Sequence, residues 1–394
     1  MKLLVIGLGQ CGSNIADSFA LINKRARAQR KIEIVTGVFA VNTDVADLTG
    51  LKHIKPDYKH RILIGGRKSG GHGVGKINEL AADMIREDAD KVIDAIRSTP
   101  SFFESDAFLL CASAAGGTGS GSVATMTKVL KDRYIEKPLY NLIVLPFEHE
   151  EHTEERTVYN AATCLKSVDS VADAVFLVDN QRYVKKNSPL KHNFAEINRM
   201  IAEPFYNILS AGEEKKGKFV GARLLDAGDI IQSIAGWTVI GHGQAQLPSM
   251  RIPFQSSDNF RKKSTEVYRG IEAMDAALSE LSFRCDPADA SRGLYLVSGP
   301  SKEINLSSVG EIGEYLKSLA PEAIIRNGDY PREKATLSVS VILSELRKVD
   351  KIRDYYAETT RIVSQRKKRQ TLIDSQLRDI QQASKDVPSL VTGS

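Results

Sequence analysis

The sequence contains few cysteines, and their spacing excludes the common cysteine-based sites. Four cysteines are scattered over 394 residues, and no two of them form a C-x-x-C pair. Such spacing argues against a zinc knuckle, a redox motif and a disulfide framework. A reducing cytoplasm is therefore the expected compartment. The four residues are Cys11, Cys111, Cys164 and Cys285.

The sequence also lacks a long apolar run and a strong excess of either charge. The apolar run after Met1 is broken at Gly7, too early for the roughly 7–15 residues of a signal-peptide core. No other run approaches the roughly 20 residues of a membrane-spanning helix. The 54 basic and 49 acidic residues leave a net charge of +5, which does not indicate a nucleic-acid-binding surface. We expect a soluble globular protein with no nucleic-acid partner and at most an indirect link to membranes, through adaptor proteins.

Short β-rich runs alternate with longer amphipathic stretches through the first half of the chain. This alternation predicts an α/β fold of βαβ units, with a Rossmann-like, mostly parallel sheet. Gly, Asn, Asp or Pro follows nearly every run, and open α/β sheets bind ligands at the carboxyl ends of their strands. The runs begin at Lys2, Ile34, Ile62, Ala107, Leu142 and Ala174.

The pattern changes after about residue 185, where a helix containing Pro204 as a kink or end predicts a connecting segment. More widely spaced strand-like runs then predict a second, smaller α/β domain. No Gly or Pro occurs from Glu345 to Lys385, and apolar residues recur there every three or four positions, which predicts a long helix. The expected segments are a ligand-binding domain at 1–188, a connecting helix and loop at 189–219, a C-terminal domain at 220–344, the long helix at 345–386 and a tail at 387–394.

The first loop has the glycine spacing of a dinucleotide-binding fold. Gly7, Gly9 and Gly12 form the pattern G-x-G-x-x-G. A Rossmann site also needs an acidic residue at the carboxyl end of the second strand, to bind the ribose. Glu33 precedes that strand, whereas residues 42–44, Asn-Thr-Asp, follow it. An NAD-dependent oxidoreductase is therefore the weaker interpretation of this loop.

Two further glycine clusters favour a nucleoside triphosphate. Four glycines flank Thr118 and Ser120 at a strand-to-helix junction, where backbone N–H groups, a helix N-terminus and hydroxyls can surround phosphate. A flexible or tightly packed glycine turn is the alternative. The lysine of a P-loop is absent, which argues against a Walker-type NTPase. A third cluster at residues 65–76 follows another strand, so three loops could surround one polyphosphate.

These motifs resemble the tubulin/FtsZ superfamily of polymerising GTPases. The sequence AGGTGSG at residues 115–121 fits its signature loop, and GQCGSN at residues 9–14 is similar to the first nucleotide loop of tubulin. The NTD of residues 42–44 resembles the second loop of FtsZ. The resemblance covers most of the first 345 residues, and the long charged C-terminal helix is most similar to the archaeal CetZ group. A divergent FtsZ is the alternative.

The resemblance implies a GTP/GDP site with Mg²⁺. Asp44 would lie near the phosphates and their Mg²⁺, although the metal ligands are not identified. Gly70, Gly71 and Gly73 would lie near the γ-phosphate. The residues implied to surround the phosphates are Gly9, Gln10, Cys11, Gly12, Asn14, Ala115, Gly116, Gly117, Thr118, Gly119, Ser120 and Gly121.

The resemblance also implies residues for the base and the ribose. Asn180 and Asn198 would read the guanine, with Phe194 against its ring. Without the family, Phe194 and Asn198 are an ordinary i,i+4 helical pair. The ribose motif lacks its glycine and is about two residues longer than the family pattern, so Arg156 and either Glu150 or Glu151 are expected there.

The expected catalytic residues are Asp226 and Asp229, which match the Asp-x-x-Asp of the family's synergy loop. Locally the same pair is an ordinary helix start, and Leu224 replaces a family asparagine. The resemblance implies that the pair reaches the nucleotide of the next subunit and polarises the attacking water. Head-to-tail self-assembly into a cytoskeletal filament would then activate GTP hydrolysis. The resemblance implies a role in cell shape, with cell division as the alternative. A filament protein that binds nucleotide without hydrolysing it efficiently is a further alternative.

Overall fold

A computed structural model describes residues 1–184, 190–247, 259–385 and 387. Contacts divide the chain into a large unit, Met1–Val349, and a second unit that begins at Asp350. The strands are β1 (Leu3–Leu8), β2 (Val35–Asn42), β3 (Arg61–Leu63), β4 (Ala107–Ser113), β5 (Leu139–Leu145), β6 (Ala174–Asp179), β7 (Gly236–Gln246), β8 (Arg292–Gly299), β9 (Ile324–Pro331) and β10 (Thr336–Ser344).

Helices connect most of these strands. The helices are α1 (Gly9–Arg30), α2 (Val45–Thr49), α3 (Gly66–Ser69), α4 (Asn78–Arg97), α5 (Thr118–Arg133), α6 (Glu148–Thr153), α7 (Glu155–Asp169), α8 (Leu190–Ala211), α9 (Ala227–Ser233), α10 (Asn259–Ser279), α11 (Leu306–Leu319) and α12 (Asp350–Ala383). Helix α12 forms the described part of the second unit.

The described strands form one ten-stranded sheet in the order β3-β2-β1-β4-β5-β6-β7-β10-β8-β9. Neighbouring strands are parallel except where β10 pairs with β7 and β8. The predicted mostly parallel α/β sheet is therefore confirmed. Strand β7 pairs with β6 through its first three residues and with β10 through its later ones. One continuous sheet thus joins the regions that the sequence assigned to two domains.

The parallel strands are buried because helices cover the sheet. Every residue of β1, β5 and β6 is buried, as expected where both faces of a parallel sheet are covered. Helix α8 packs against α1 and the sheet. The ring of Phe205 lies 5.3 Å from that of Phe19 and 5.2 Å from that of Phe176. These contacts fix α8 against α1 and one face of the sheet.

Three local expectations differ from the structure. Helix α8 continues through Pro204 to Ala211, so Pro204 does not end the helix. Helix α12 begins at Asp350 rather than Glu345, because Glu345 has a left-handed φ of 54° and its N–H donates to the Ala235 carbonyl. Strand β9 was not predicted, since its sequence IIRNGDYP lacks alternation and contains turn-forming residues.

Candidate functional site

Several loops meet at the carboxyl edge of the parallel strands. The loop after β1 contacts the loop after β4, because a Cβ atom added at Gly9 would lie 2.8 Å from the Gly119 nitrogen. The loop after β2 contacts the same loop through the hydroxyls of Thr43 and Thr118, whose oxygens lie 2.7 Å apart. Gly9 has a φ of +70°, a left-handed conformation that favours glycine. The first two glycine-containing loops therefore lie side by side.

The loop at residues 115–121 has a packed side and an open side. A Cβ atom at Gly121 would lie 1.9 Å from the Asn78 carbonyl oxygen, so this glycine lets α5 pack against the start of α4. At Gly116 a Cβ atom would meet no described atom within 4 Å. The Ser120 hydroxyl donates to the Gly116 carbonyl. The Ser120 side chain is thus engaged within the loop, while Gly116 borders open space.

The third glycine cluster is joined to the loop after β2. The Val45 N–H donates to the Gly71 carbonyl, and the Gly73 N–H donates to the Thr43 carbonyl, each at 3.1 Å. Asp44 and His72 form an isolated antiparallel bridge between the same segments. The structure therefore brings Gly70, Gly71 and Gly73 to the same edge as Asp44.

The first turn of α1 lies at this edge as well. Gly12 packs against β4, since a Cβ atom there would lie 2.0 Å from the Cys111 carbonyl oxygen. The Asn14 amide donates to the Gln10 carbonyl at 2.9 Å, and both side chains are exposed. Cys11 is partly buried. Burial is the main cause, and the negative charge of Glu150 the second, that raise the pKa of the Cys11 thiol to about 12.

Asp44 and Asp47 organise the loop after β2. Asp44 Oδ1 accepts from the N–H groups of Ala46 and Asp47, at 2.8 and 3.2 Å, and so caps α2. Asp47 accepts from the amides of Gln10 and Asn42, at 2.7 and 2.9 Å. Asp47 therefore connects two of the loops. Sequence patterns do not indicate this role, because an acidic residue in a first helical turn is common.

Asn160 on α7 is a second residue whose role the sequence patterns do not indicate. Its Nδ2 lies 2.9, 3.1 and 3.0 Å from the carbonyl oxygens of Lys76, Ala115 and Gly116. The side chain is fully buried. Asn160 thus holds two glycine-rich loops together from beneath, and only the asparagine's place on a buried helix face could have indicated this.

Replacing Asn160 with alanine is expected to lower the free energy of unfolding by about 1–3 kcal/mol, because buried carbonyls lose their donor. Urea denaturation of the purified variant measures this change. Lys166→Ala, on the exposed side of the same helix, is the matched control. Equal unfolding midpoints for Asn160→Ala and the parent protein would contradict the assigned role.

An aromatic contact brings the loop after β5 to helix α8. The rings of Phe147 and Phe194 lie 5.9 Å apart, and Phe194 remains 43% exposed. Glu150, on α6, accepts from the Phe147 N–H at 3.0 Å. Glu151 lies on the same short helix. Asn180 directly follows β6, and Asn198 lies one turn beyond Phe194; both are partly buried. These predicted base and ribose residues therefore flank the ligand edge.

Arg156 lies in the first turn of α7. Its guanidinium donates to the Lys76 carbonyl and the Asn78 side chain, each at 3.2 Å, and pairs with Glu79. Arg156 therefore contacts the end of the third glycine cluster and the start of α4. A ribose contact by Arg156 stays a prediction.

Asp226 and Asp229 lie at the opposite edge of the sheet. Helix α9 ends three residues before β7, whose first residue, Gly236, pairs with Ala174 at the start of β6. The glycine-rich loops follow the other ends of the parallel strands. The six residues of β6 rise about 3.3 Å each, so about 20 Å separates the two edges. Within one chain, the structure does not bring the aspartates to the loops.

Local contacts hold both aspartates. Asp226 caps α9 by accepting from the Asp229 N–H at 2.8 Å. The Asp229 carboxylate accepts from the Arg326 guanidinium of β9, also at 2.8 Å. Asp226 and Leu224 are exposed, and the Asp229 side chain is 37% exposed. Asp226 and Asp229 therefore present carboxylates to solvent from an ordered helix start.

Comparisons with known proteins cover nearly the whole chain. Residues 2–187 match the GTPase domain of the tubulin/FtsZ family, and residues 187–360 match the C-terminal domain of tubulin-like CetZ proteins. The tubulin-like protein CetZ1 of Haloferax volcanii is 33% identical over 358 residues, which cover 87% of each chain. The chain belongs to the CetZ family of tubulin-like proteins. The family resemblance predicted from the motifs is thus confirmed.

Solved structures of CetZ proteins share this fold. The GDP-bound monomer of Haloferax volcanii CetZ1 is 28% identical, with a TM-score of 0.78, and the match covers 92% of this chain and 99% of that one. A GTPγS-bound protofilament of CetZ2 from the same organism is 26% identical, also with a TM-score of 0.78, and the match covers 93% and 100%. The fold predicted for this CetZ-family chain is therefore confirmed.

No helix within the described residues is long and apolar enough to cross a membrane.

Proposed function

We propose that this CetZ-family chain binds GTP at the carboxyl edge of its sheet and hydrolyses it between successive subunits of a filament. The observation that carries the proposal is the separation of two complementary sites. The glycine-rich loops lie at one edge, and Asp226 and Asp229 lie at the other, about 20 Å away by strand length. The loop edge has the glycines for phosphate binding, and the opposite edge has the carboxylates for hydrolysis.

The loops have the features of a phosphate site. Helices α1 and α5 both begin at this edge, and helix N-termini favour anions. Gly116 borders open space that no described side chain fills. The GDP-bound CetZ1 and GTPγS-bound CetZ2 structures support a guanine nucleotide as the ligand.

The base and ribose would extend from the phosphates toward α8. Phe194 offers an exposed ring for stacking, and the amides of Asn180 and Asn198 offer both a donor and an acceptor to a base edge. Glu150, whose charge acts on Cys11, is better placed than Arg156 for the ribose, because Arg156 is engaged with Glu79.

Hydrolysis would require a second copy of the chain. A head-to-tail contact joins unlike surfaces and extends into a filament when the rotation does not close. In such a contact, the aspartate edge of one subunit meets the loop edge of the next. The protofilament formed by CetZ2 supports this arrangement.

The chemistry would be positioning and charge stabilisation. A carboxylate of Asp226 or Asp229 would orient the attacking water, and backbone N–H groups of the loops would stabilise charge on the phosphates. Mg²⁺, which prefers oxygen ligands, would neutralise phosphate charge beside Asp44, whose Oδ1 caps α2 while Oδ2 takes no part in the cap. The proposed role is a cytoskeletal one in the cytoplasm, in control of cell shape.

GTP turnover per subunit is expected to rise with protein concentration, because each active site needs two subunits. Phosphate release measured over a dilution series, with light scattering on the same samples, tests this expectation. Turnover and scattering should rise together above one threshold concentration. A constant turnover per subunit would contradict the two-subunit site, and tighter binding of NAD than of GTP would favour an oxidoreductase.

A further inference from the structure

A cavity away from the glycine-rich loops has no part in the function proposed above. It lies between α1, α8 and strands β7, β8 and β10, and its volume is about 220 Å³. Pockets for drug-sized ligands measure roughly 300–1,000 Å³, so this cavity suits a smaller molecule. Its lining residues include Arg25, Glu203, Tyr206, Ser298, Arg332 and Lys334.

Positive charge in this cavity exceeds negative charge. Glu203 is the one acidic side chain among the described lining residues, and Arg25 pairs with it through two hydrogen bonds of 2.9 and 2.8 Å. Arg332 donates to the neutral amide of Asn207 at 2.8 Å. No described carboxylate forms an ion pair with Arg332 or Lys334. Two cations that line the cavity, the buried Arg332 and the exposed Lys334, are therefore unmatched by a carboxylate.

Burial and neighbouring positive charge lower the pKa of both unmatched cations. Burial lowers the pKa of Lys334, and the positive charge of Arg332 lowers it further. Burial lowers the pKa of Arg332, and the positive charge of Arg30 lowers it further. A bound anion would favour the charged forms of both residues.

Further polar atoms on residues that line the cavity lack partners as well. Ser298 Oγ, Tyr206 Oη and Arg25 Nε are buried and make no hydrogen bond within the described residues. Ser298 and Tyr206 are each only 3% exposed. Buried polar groups in folded proteins are nearly always hydrogen-bonded to protein, water or ligand. The residues that carry these atoms line the same cavity as the unmatched cations.

We propose that the cavity binds a small phosphate-bearing anion at a site separate from the nucleotide loops. A phosphate group offers several acceptor oxygens, and arginine recognises such groups through paired N–H donors. Arg332 and Lys334 supply the charge, while Ser298 and Tyr206 supply neutral hydrogen bonds. The volume limits the ligand to a compact molecule.

Titration calorimetry with inorganic pyrophosphate tests the proposal on the full chain, with a fluorescent GDP analogue in excess to occupy the nucleotide loops. We expect one saturable site, without release of the analogue. Lys334→Ala should weaken pyrophosphate binding about tenfold or more, because a charged hydrogen-bonding partner is lost. Ser298→Ala, which changes little volume, should weaken it severalfold.

Lys24→Ala is the matched control, since Lys24 adjoins Arg25 on α1 but is exposed and does not line the cavity. It removes the same charge and should leave the affinity within about twofold. Gly116→Val, which alters the nucleotide loops, should bind pyrophosphate as the parent does. Absence of saturable binding, equal weakening by Lys24→Ala and Lys334→Ala, or release of the GDP analogue in step with binding would each overturn the proposal. Thermal unfolding of each variant checks that it is folded.

Discussion

Asp226→Asn and Asp229→Asn are each expected to lower GTP turnover by about 100-fold or more, the range that groups assisting proton transfer contribute. GTP affinity should stay nearly unchanged, because the nucleotide loops lie at the other edge of the sheet. Phosphate release under saturating GTP measures turnover, and binding of a fluorescent GTP analogue measures affinity.

Asparagine is the most informative replacement because it removes the charge of the aspartate and keeps the shape of the side chain. It also preserves the cap of α9, since Asn caps helices as well as Asp does. Asp286→Asn is the matched control, because Asp286 caps another short helical turn by accepting from the Ala288 N–H at 3.0 Å. The control should turn over GTP normally. Normal turnover in both Asp226→Asn and Asp229→Asn would exclude the proposed mechanism.

The second large effect is expected at Gly116. Gly116→Val should weaken GTP binding roughly tenfold to 100-fold, in line with the 1–3 kcal/mol that overpacking typically costs. The Asn160 amide and the Ser120 hydroxyl both bond the Gly116 carbonyl. The backbone is therefore fixed, and an added side chain must project into the open space that the phosphates would occupy.

Gly217→Val is the control for this experiment, because a Cβ atom at Gly217 also meets nothing within 4 Å and lies far from the loops along the chain. Both variants should unfold within a few degrees of the parent protein, since neither fills a packed position. Unchanged GTP affinity in Gly116→Val would mean that the phosphates bind elsewhere.

Mixing two inactive variants tests whether the active site is shared between subunits. Asp229→Asn keeps intact nucleotide loops, and Gly116→Val keeps an intact aspartate pair. In a random equimolar filament, roughly one head-to-tail contact in four joins the intact halves. The mixture should therefore hydrolyse GTP faster than the sum of the separate variants, whereas a site within one chain would show no gain.

The sequence predicted the sheet and its ligand edge because both depend on local patterns. Alternating apolar runs and helices indicated parallel strands, and the glycines after β1, β3 and β4 marked the edge. Glu33 was correctly placed before β2, which weakened the dinucleotide interpretation. The single continuous sheet was not predicted, since it depends on β7 pairing at both of its ends.

Contacts between distant parts of the chain could not be predicted in this way. Asn160 reaches Lys76, 84 positions away, and Arg326 reaches Asp229, 97 positions away. Neither pair has a spacing that a helix or strand period would reveal. These contacts depend on strand order, which the packing of the whole sheet decides.

The fold class, the family and the positions of the glycine-rich loops follow from short-range residue patterns, because such patterns set backbone conformation and burial. Tertiary packing sets which side chains meet. It separated Asp226 and Asp229 from the glycine-rich loops, since α9 leads into the amino end of a parallel strand while the loops follow carboxyl ends. It also gathered Arg332, Lys334 and Ser298 around one cavity, because three strands and two helices that are distant in sequence pack against one another there.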